Sequence, residues 1–139
     1  MRRLTPGEAL LAAGVFGVAI DLDRVRLARW PMSFGMVLGS LIFLPPGAPD
    51  DVAEAGARMR AWLLHELTHV WQFQTRPCWT LKSWAGVLLS GGYGPGLPGY
   101  RLAARWDWEE LNLEQQARAV ETGWLERDLA GTPFARGNP

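Results

Sequence analysis

The sequence is poor in the residues that cross-link small domains or attract polyanions. Its single cysteine, Cys78, excludes an internal disulfide. Lysine occurs once, at Lys82, and the formal net charge is zero, so composition gives no support to nucleic-acid binding or to attraction by an anionic membrane. No apolar run is long enough to span a bilayer as a helix. These absences favour one soluble globular domain, which at 139 residues is large enough to bury a core.

The N-terminal segment has the outline of a short signal peptide, because a Met-Arg-Arg start precedes the apolar residues 9–20. Two features favour a packed helix instead. Thr5 and Glu8 have the spacing of a capping box, with Pro6 at the first helical position. No small-residue cleavage pattern follows Ile20. We therefore expect a cytoplasmic domain that begins with a short helix and has no cleaved signal peptide.

Periodicity predicts an α+β domain. Residues 25–30 alternate apolar side chains with arginines, as a strand does, and residues 36–44 form a second strand-like run interrupted by one glycine. Asp50 or Asp51 then caps a long helix that is expected to end before Pro77. The pattern predicts a small sheet packed on this helix.

The C-terminal half is predicted to contain a loop followed by a helix. Residues 83–100 are rich in glycine and proline, which indicates a mobile loop or flap. A final helix is predicted at residues 107–128, since its apolar side chains recur at spacings of four, three and four. Residues 1–130 are predicted to form a single domain, and residues 131–139 a flexible tail.

Both histidines of the chain lie in one short motif, HELTH, on the predicted long helix. Residues i and i+4 share a helix face, so His65 and His69 can point at a single ion. Zinc binds neutral imidazole, and a catalytic site has three protein ligands and an open position for water. Glu66, about 100° around the helix from His65, is placed to take a proton from a water that the metal acidifies. The alternative is a pair of packed or capping histidines with a solvated Glu66.

No histidine remains to serve as a third ligand, so we expect a carboxylate. Glu110, Glu114 and Glu121 flank the same side of the apolar stripe on the final helix, and periodicity alone does not choose among them. Asp107 lies three residues before Glu110, which gives that pair another role as a capping box. Glu121 can pair with nearby arginines at the surface. We favour Glu114, because a carboxylate buried there requires a facing cation.

Two further assignments concern the substrate. Tyr93 and Tyr100, the only tyrosines, lie in or at the end of the glycine-rich segment. A tyrosine hydroxyl can donate to the oxyanion of peptide hydrolysis, although loop aromatics more often pack on the surface. Residues 41–44 are predicted to be an edge strand against which an extended peptide pairs.

Three segments together resemble the zincin metallopeptidases called vgr-related proteins, and a related metallopeptidase-like core domain found beside contractile injection systems. They are HELTHVWQFQ, the leading LTPGEALLAAGVFGVAIDLDRVRL and the later LNLEQQARAVE, spread over residues 4–121. The resemblance implies a minimal zincin-like domain of the gluzincin kind, with His65, His69 and Glu114 as zinc ligands and Glu66 as base. It also implies an association with bacterial secretion or toxin delivery, and export by such a system.

Two functions follow as hypotheses. The first is a zinc-dependent metallopeptidase that hydrolyses peptide or protein substrates through a metal-activated water. The second is a catalytically idle zincin-fold interaction module of a secretion apparatus, because a chain this small needs residues 83–100 or a partner to complete a substrate groove. Val18, where the related proteins often have an acidic residue, leaves the substrate specificity open.

Overall fold

The first helix begins at the expected capping box. The computed structural model of the protein describes residues 1–90 and 98–135. Helix α1 spans Pro6–Phe16, and the Thr5 hydroxyl accepts a hydrogen bond from the backbone N–H of Glu8 while the Glu8 carboxylate accepts one from the N–H of Thr5. Both halves of the predicted capping box are therefore confirmed.

Three short strands form one sheet in the order β1-β3-β2, with β1 at Arg26–Arg29, β2 at Met36–Leu38 and β3 at Leu41–Leu44. The prediction of one interrupted strand over residues 36–44 was wrong, because the chain turns at Gly39, whose φ of 62° is one that glycine adopts without steric cost. Strand β3 pairs with β1 in parallel and with β2 in antiparallel fashion. It is central, so it cannot be the predicted edge strand; β2 lies at an edge.

The central helix starts later than expected. Asp51 caps a separate 3₁₀ turn at Val52–Glu54, where its carboxylate accepts from the N–H of Ala53. Helix α2 then begins after Gly56, spans Ala57–Thr75 and carries the HELTH motif. Its end before Pro77 agrees with the prediction, since proline disfavours helical geometry in the preceding residue.

Two more helices follow, and both correct the sequence-based boundaries. Helix α3 spans Pro77–Leu89 and so fills the first part of the expected loop. Helix α4 spans Leu113–Leu125, shorter than the predicted residues 107–128. Asp107 caps a separate 3₁₀ turn at Trp108–Glu110 rather than this helix.

The main apolar core lies between the sheet and the helices α1, α2 and α4, and a smaller cluster forms around Val87, Tyr100 and Leu113. Leu63, Leu64 and Leu67 of α2 are fully buried in the main core. Phe134, which belongs to the expected tail, is also buried, with its ring centroid 4.7 Å from that of Phe16. Residues 136–139 of the tail lie outside the described residues. The predicted α+β class is confirmed by this three-stranded sheet and the helices around it.

None of the helices in the described segments has the length and apolar character needed to cross a membrane.

Candidate metal centre

Helices α2 and α4 bring the motif histidines together with Glu114. His65 Nε2 lies 3.3 Å from Glu114 Oε2, and His69 Nε2 lies 3.0 Å from Glu114 Oε1. Atoms bound to a tetrahedral zinc at about 2.0–2.1 Å are themselves roughly 3.3 Å apart. Each of the three side chains offers one ligand atom within 4.8 Å of the others. The residues present therefore fit a single bound cation.

The first turn of α4 is fixed in a way that aims Glu114 at the histidines. The Asn112 side chain caps the helix, and its amide also donates to the backbone oxygen of Gly99. The backbone N–H of Leu113 donates to Ser83 Oγ of α3. Glu114 follows directly and has only 2% of its surface exposed. Burying a carboxylate is costly unless a partner faces it, and for Glu114 the two imidazoles are those partners.

The alternative third ligands lie elsewhere. Glu110 is exposed and is not part of the cluster. Glu121 Oε1 lies 3.3 Å from His65 Nδ1, the ring nitrogen opposite the one that faces Glu114. Glu121 thus contacts the ring nitrogen that does not face Glu114, an arrangement typical of carboxylates that orient metal-binding histidines.

Burial and neighbouring charges act in opposite directions on the protonation of the centre. Burial alone lowers the pKa of His65, but hydrogen bonds to Glu114 and Glu121 outweigh it and raise the pKa to about 10. Burial also opposes the charge of His69, and the charge of Glu114 again raises its pKa. The pKa of Glu114 is lowered despite burial, chiefly by the charge of His69. The surroundings favour positive charge here, which a divalent cation supplies in place of two protons.

Glu66 lies on α2 beside this cluster, with 6% of its surface exposed. Burial raises the pKa of its carboxyl group. Gly35, just before β2, packs against it: a Cβ added to Gly35 would lie 3.2 Å from Glu66 Oε1 and 2.5 Å from Trp62 Cζ2. Any other residue here would clash with the Trp62 ring, so glycine allows the chain to lie against both side chains. Gly35 was not among the residues predicted from the sequence, where its one signal was a glycine at the start of a strand-like run.

A cavity of about 480 Å³ opens next to the cluster, and most of its lining is apolar. Edge strand β2 forms one wall, and Leu81 and Trp84 of α3 line it as well. Tyr100 is buried and lines this cavity, whereas Tyr93 lies outside the described residues. Arg118 of α4 also lines it.

Comparison with known proteins identifies one relative in both sequence and structure, although no family model matches the chain. The chain is 32% identical over 150 residues to the type VI secretion system spike protein VgrG2b of Pseudomonas aeruginosa, across 96% of this chain and 14% of that protein. The solved effector domain of P. aeruginosa VgrG2b superimposes with a TM-score of 0.71 and 28% identity, over 97% of this chain and 79% of that domain. The chain is homologous to VgrG2b.

The similarity to VgrG2b confirms the vgr-related part of the resemblance found in the sequence. The chain spans 14% of the length of the spike protein but most of the solved effector domain. The two matches are described as a type VI secretion system spike protein and as the effector domain of that protein.

Proposed function

We propose that this chain is a zinc-dependent peptidase domain of zincin type that acts as a type VI secretion effector. The observation that carries the proposal is the convergence of His65 Nε2, His69 Nε2 and the Glu114 carboxylate beside the buried Glu66. Homology to the VgrG2b effector domain supports delivery by a secretion system, with components of that system as partners.

The donor set supports zinc as the metal. Two imidazole nitrogens and one carboxylate form a three-ligand set typical of catalytic zinc, which leaves a fourth position for water. When bound, zinc supplies Lewis acidity for a water molecule and for the carbonyl of the peptide. The cavity next to the cluster, called the cleft from here on, is lined by all three ligand residues and would give a substrate access to the metal.

Glu66 is the base of the proposed reaction. Its carboxylate lines the cleft next to the two histidines but is not one of the three grouped ligands. Because burial raises its pKa, it can hold a proton taken from water and then pass that proton to the departing amine. Tyr100 lines the same cleft, and we keep it as a proposed donor to the oxyanion.

Strand β2 is the element along which an extended substrate would lie. It is an edge of the sheet and forms a wall of the cleft that contains Glu66. Backbone groups on a free edge pair readily with an extended peptide. Three apolar side chains of the cleft are strongly exposed: Phe34 at 49%, Leu38 at 52% and Leu81 at 55%. We therefore expect substrates with apolar side chains near the cleaved bond.

The decisive experiment separates metal binding from turnover. Glu66→Gln should retain one zinc per chain and lose roughly 10²–10⁴-fold of the peptidase activity, because it removes the proton acceptor but none of the ligands. His65→Ala should lose the zinc. Elemental analysis and a peptide-cleavage assay measure both.

Two outcomes would contradict the peptidase. Full activity of Glu66→Gln would exclude the carboxylate as base. Zinc at one per chain in the wild-type protein, without cleavage of varied apolar peptides, would favour the idle interaction module instead.

A further inference from the structure

A chain of buried amides runs from His69 to the backbone of the 3₁₀ turn that precedes α4. His69 Nδ1 lies 2.8 Å from Gln72 Oε1. Gln72 Nε2 donates to Gln116 Oε1 at 3.0 Å and to the backbone oxygen of Leu113 at 3.0 Å. Gln116 Nε2 donates in turn to the backbone oxygen of Trp108 at 3.1 Å. We call these two glutamines the amide relay.

The two backbone carbonyl groups that the amide relay contacts determine how each glutamine amide is oriented. A backbone carbonyl oxygen only accepts hydrogen bonds, so Trp108 requires the NH₂ group of Gln116, and Leu113 requires the NH₂ group of Gln72. The oxygen of Gln72 must then face His69. A carbonyl oxygen at 2.8 Å requires a hydrogen on Nδ1, which leaves the lone pair of a neutral ring on Nε2.

That nitrogen is the one that faces Glu114 in the candidate metal centre. We propose that Gln72, held by Gln116, is a positioning residue that fixes the tautomer and orientation of His69 for metal binding. This inference rests on the metal site of the proposed function but not on peptidase activity.

The amide relay also joins the two helices that supply the ligands. Gln72 contacts His69 on its own helix α2. It also donates to the backbone oxygen of Leu113 on α4, and Leu113 directly precedes Glu114. Gln72 is fully buried and Gln116 is 1% exposed, so water does not replace these hydrogen bonds when one partner is removed. The Gln72 side chain therefore fixes both the orientation of the His69 ring and the position of the backbone that leads into Glu114.

If Gln72 had a purely structural role, its replacement would affect zinc binding no more than replacement of the other glutamine on α2, Gln74. Gln74 supplies the matched control, since it accepts from the N–H of Asp21 and donates to the oxygens of Asp21 and Ser40 without contacting a histidine. Gln74→Leu removes three hydrogen bonds from the same helix, as many as Gln72→Leu does.

The test is zinc affinity, measured by competition with a chromogenic chelator on the full chain, together with the unfolding temperature of the metal-free protein. Gln72→Leu should weaken zinc binding roughly 10–100-fold, as losses of hydrogen bonds behind metal-binding histidines do. Gln116→Leu should weaken zinc binding less, because Leu113 still orients Gln72. Gln74→Leu should bind zinc as the wild-type protein does.

Equal losses of zinc affinity in Gln72→Leu and Gln74→Leu, or none in Gln72→Leu, would overturn the inference and leave the proposed function intact. Failure of the wild-type protein to bind zinc would overturn both. A measurement without variants covers the case in which Gln72→Leu does not fold. In the zinc-loaded wild-type protein, the Nδ1 proton of His69 should be visible by NMR and exchange slowly with water; rapid exchange would overturn the inference.

Discussion

At the scale of single residues, the position of Glu66, the proposed base, depends on a neighbouring glycine. Gly35 lets the chain before β2 lie against both the Trp62 ring and the Glu66 carboxylate. Glu66 is in turn buried beside two histidines, which makes its position sensitive to small movements of these neighbours. General base catalysis needs a carboxylate within hydrogen-bond reach of its water, so a shift of about an ångström is costly.

We therefore predict that Gly35→Ala impairs turnover more than metal binding. The added Cβ would lie 2.5 Å from Trp62 Cζ2, so the indole must move, and the Glu66 carboxylate, 3.2 Å from that Cβ, must also shift by a few tenths of an ångström. We expect peptidase activity to fall roughly tenfold or more, zinc to remain bound, and the unfolding free energy to fall by about 1–3 kcal/mol. Activity, zinc content and denaturant unfolding measure the three effects. Gly47→Ala is the control, since a Cβ there meets nothing within 4 Å.

At the scale of elements, the start of α1 is tied to the turn before α2 through one carboxylate. Glu8 accepts hydrogen bonds from both terminal nitrogens of Arg2 at 2.8 and 2.9 Å, and from the backbone N–H groups of Thr5 and Val52 at 2.9 Å each. The carboxylate is fully buried. Burial raises its pKa, but these four hydrogen bonds outweigh burial and lower it.

This cluster predicts a pH-dependent loss of stability. A carboxyl group whose pKa is lowered by folding stabilises the protein above its ordinary pKa near 4.5, and that contribution is lost as the pH falls through the folded-state value. Glu8→Gln should cost about 2–4 kcal/mol near neutral pH, because it leaves part of a buried charge cluster unpaired. The difference from the wild-type protein should narrow in acid. Denaturant unfolding at several pH values measures it.

The control for this prediction is Glu54→Gln, since Glu54 is exposed and lies in the same 3₁₀ turn as Val52. It should change stability little at any pH. The unfolding free energies of Glu8→Gln and the wild-type protein should not differ by the same amount at neutral and acidic pH. A constant difference would contradict the role assigned to the Glu8 charge.

Local signals explain which elements the sequence predicts well. The capping box of α1 and the shared face of His65 and His69 depend on residues within four positions of each other, and both were confirmed. Competing local signals explain the errors. Asp107 and Glu110 have capping-box spacing, yet the box that forms is Asn112 with Gln115. Composition hid α3, because its last residues run into the segment richest in glycine.

The choice of Glu114 shows where sequence reasoning stops. Periodicity predicted three glutamates on one side of the last helix, but only the packing of α4 against α2 determines which of them faces the Nε2 atoms of both histidines. Gln72 and Gln116 are similar: each is an ordinary polar residue in the sequence, and their relation to His69 depends on two helices meeting. Contacts between distant segments carry this information, and a single sequence does not display them.

At the scale of the whole molecule, the candidate metal centre lies between two helices that both contribute side chains to the main core. Of the described helices and strands, α2 packs most extensively against α4, and the three candidate ligands lie across that contact. A cation bound there would link α2 to α4 in the folded state only, because the unfolded chain does not hold its ligands together. We therefore expect metal binding and folding to be coupled.

We predict that zinc raises the unfolding temperature, and that the gain grows with pH. At a fixed free zinc concentration that is a hundred times the Kd at neutral pH, binding should add about 2.7 kcal/mol at that pH, or roughly 10 °C for a chain of this size. The raised pKa of His65 stabilises the metal-free protein below the ordinary value near 6.5, and this contribution is lost as the pH rises through about 10. Zinc must displace that proton, so its advantage should increase from about pH 6 to about pH 9. Thermal unfolding of chelator-treated and zinc-loaded protein measures the gain, with His65→Ala as the control that should show none. A gain that is constant or falls as the pH rises would contradict a site in which zinc and protons compete for the same ring.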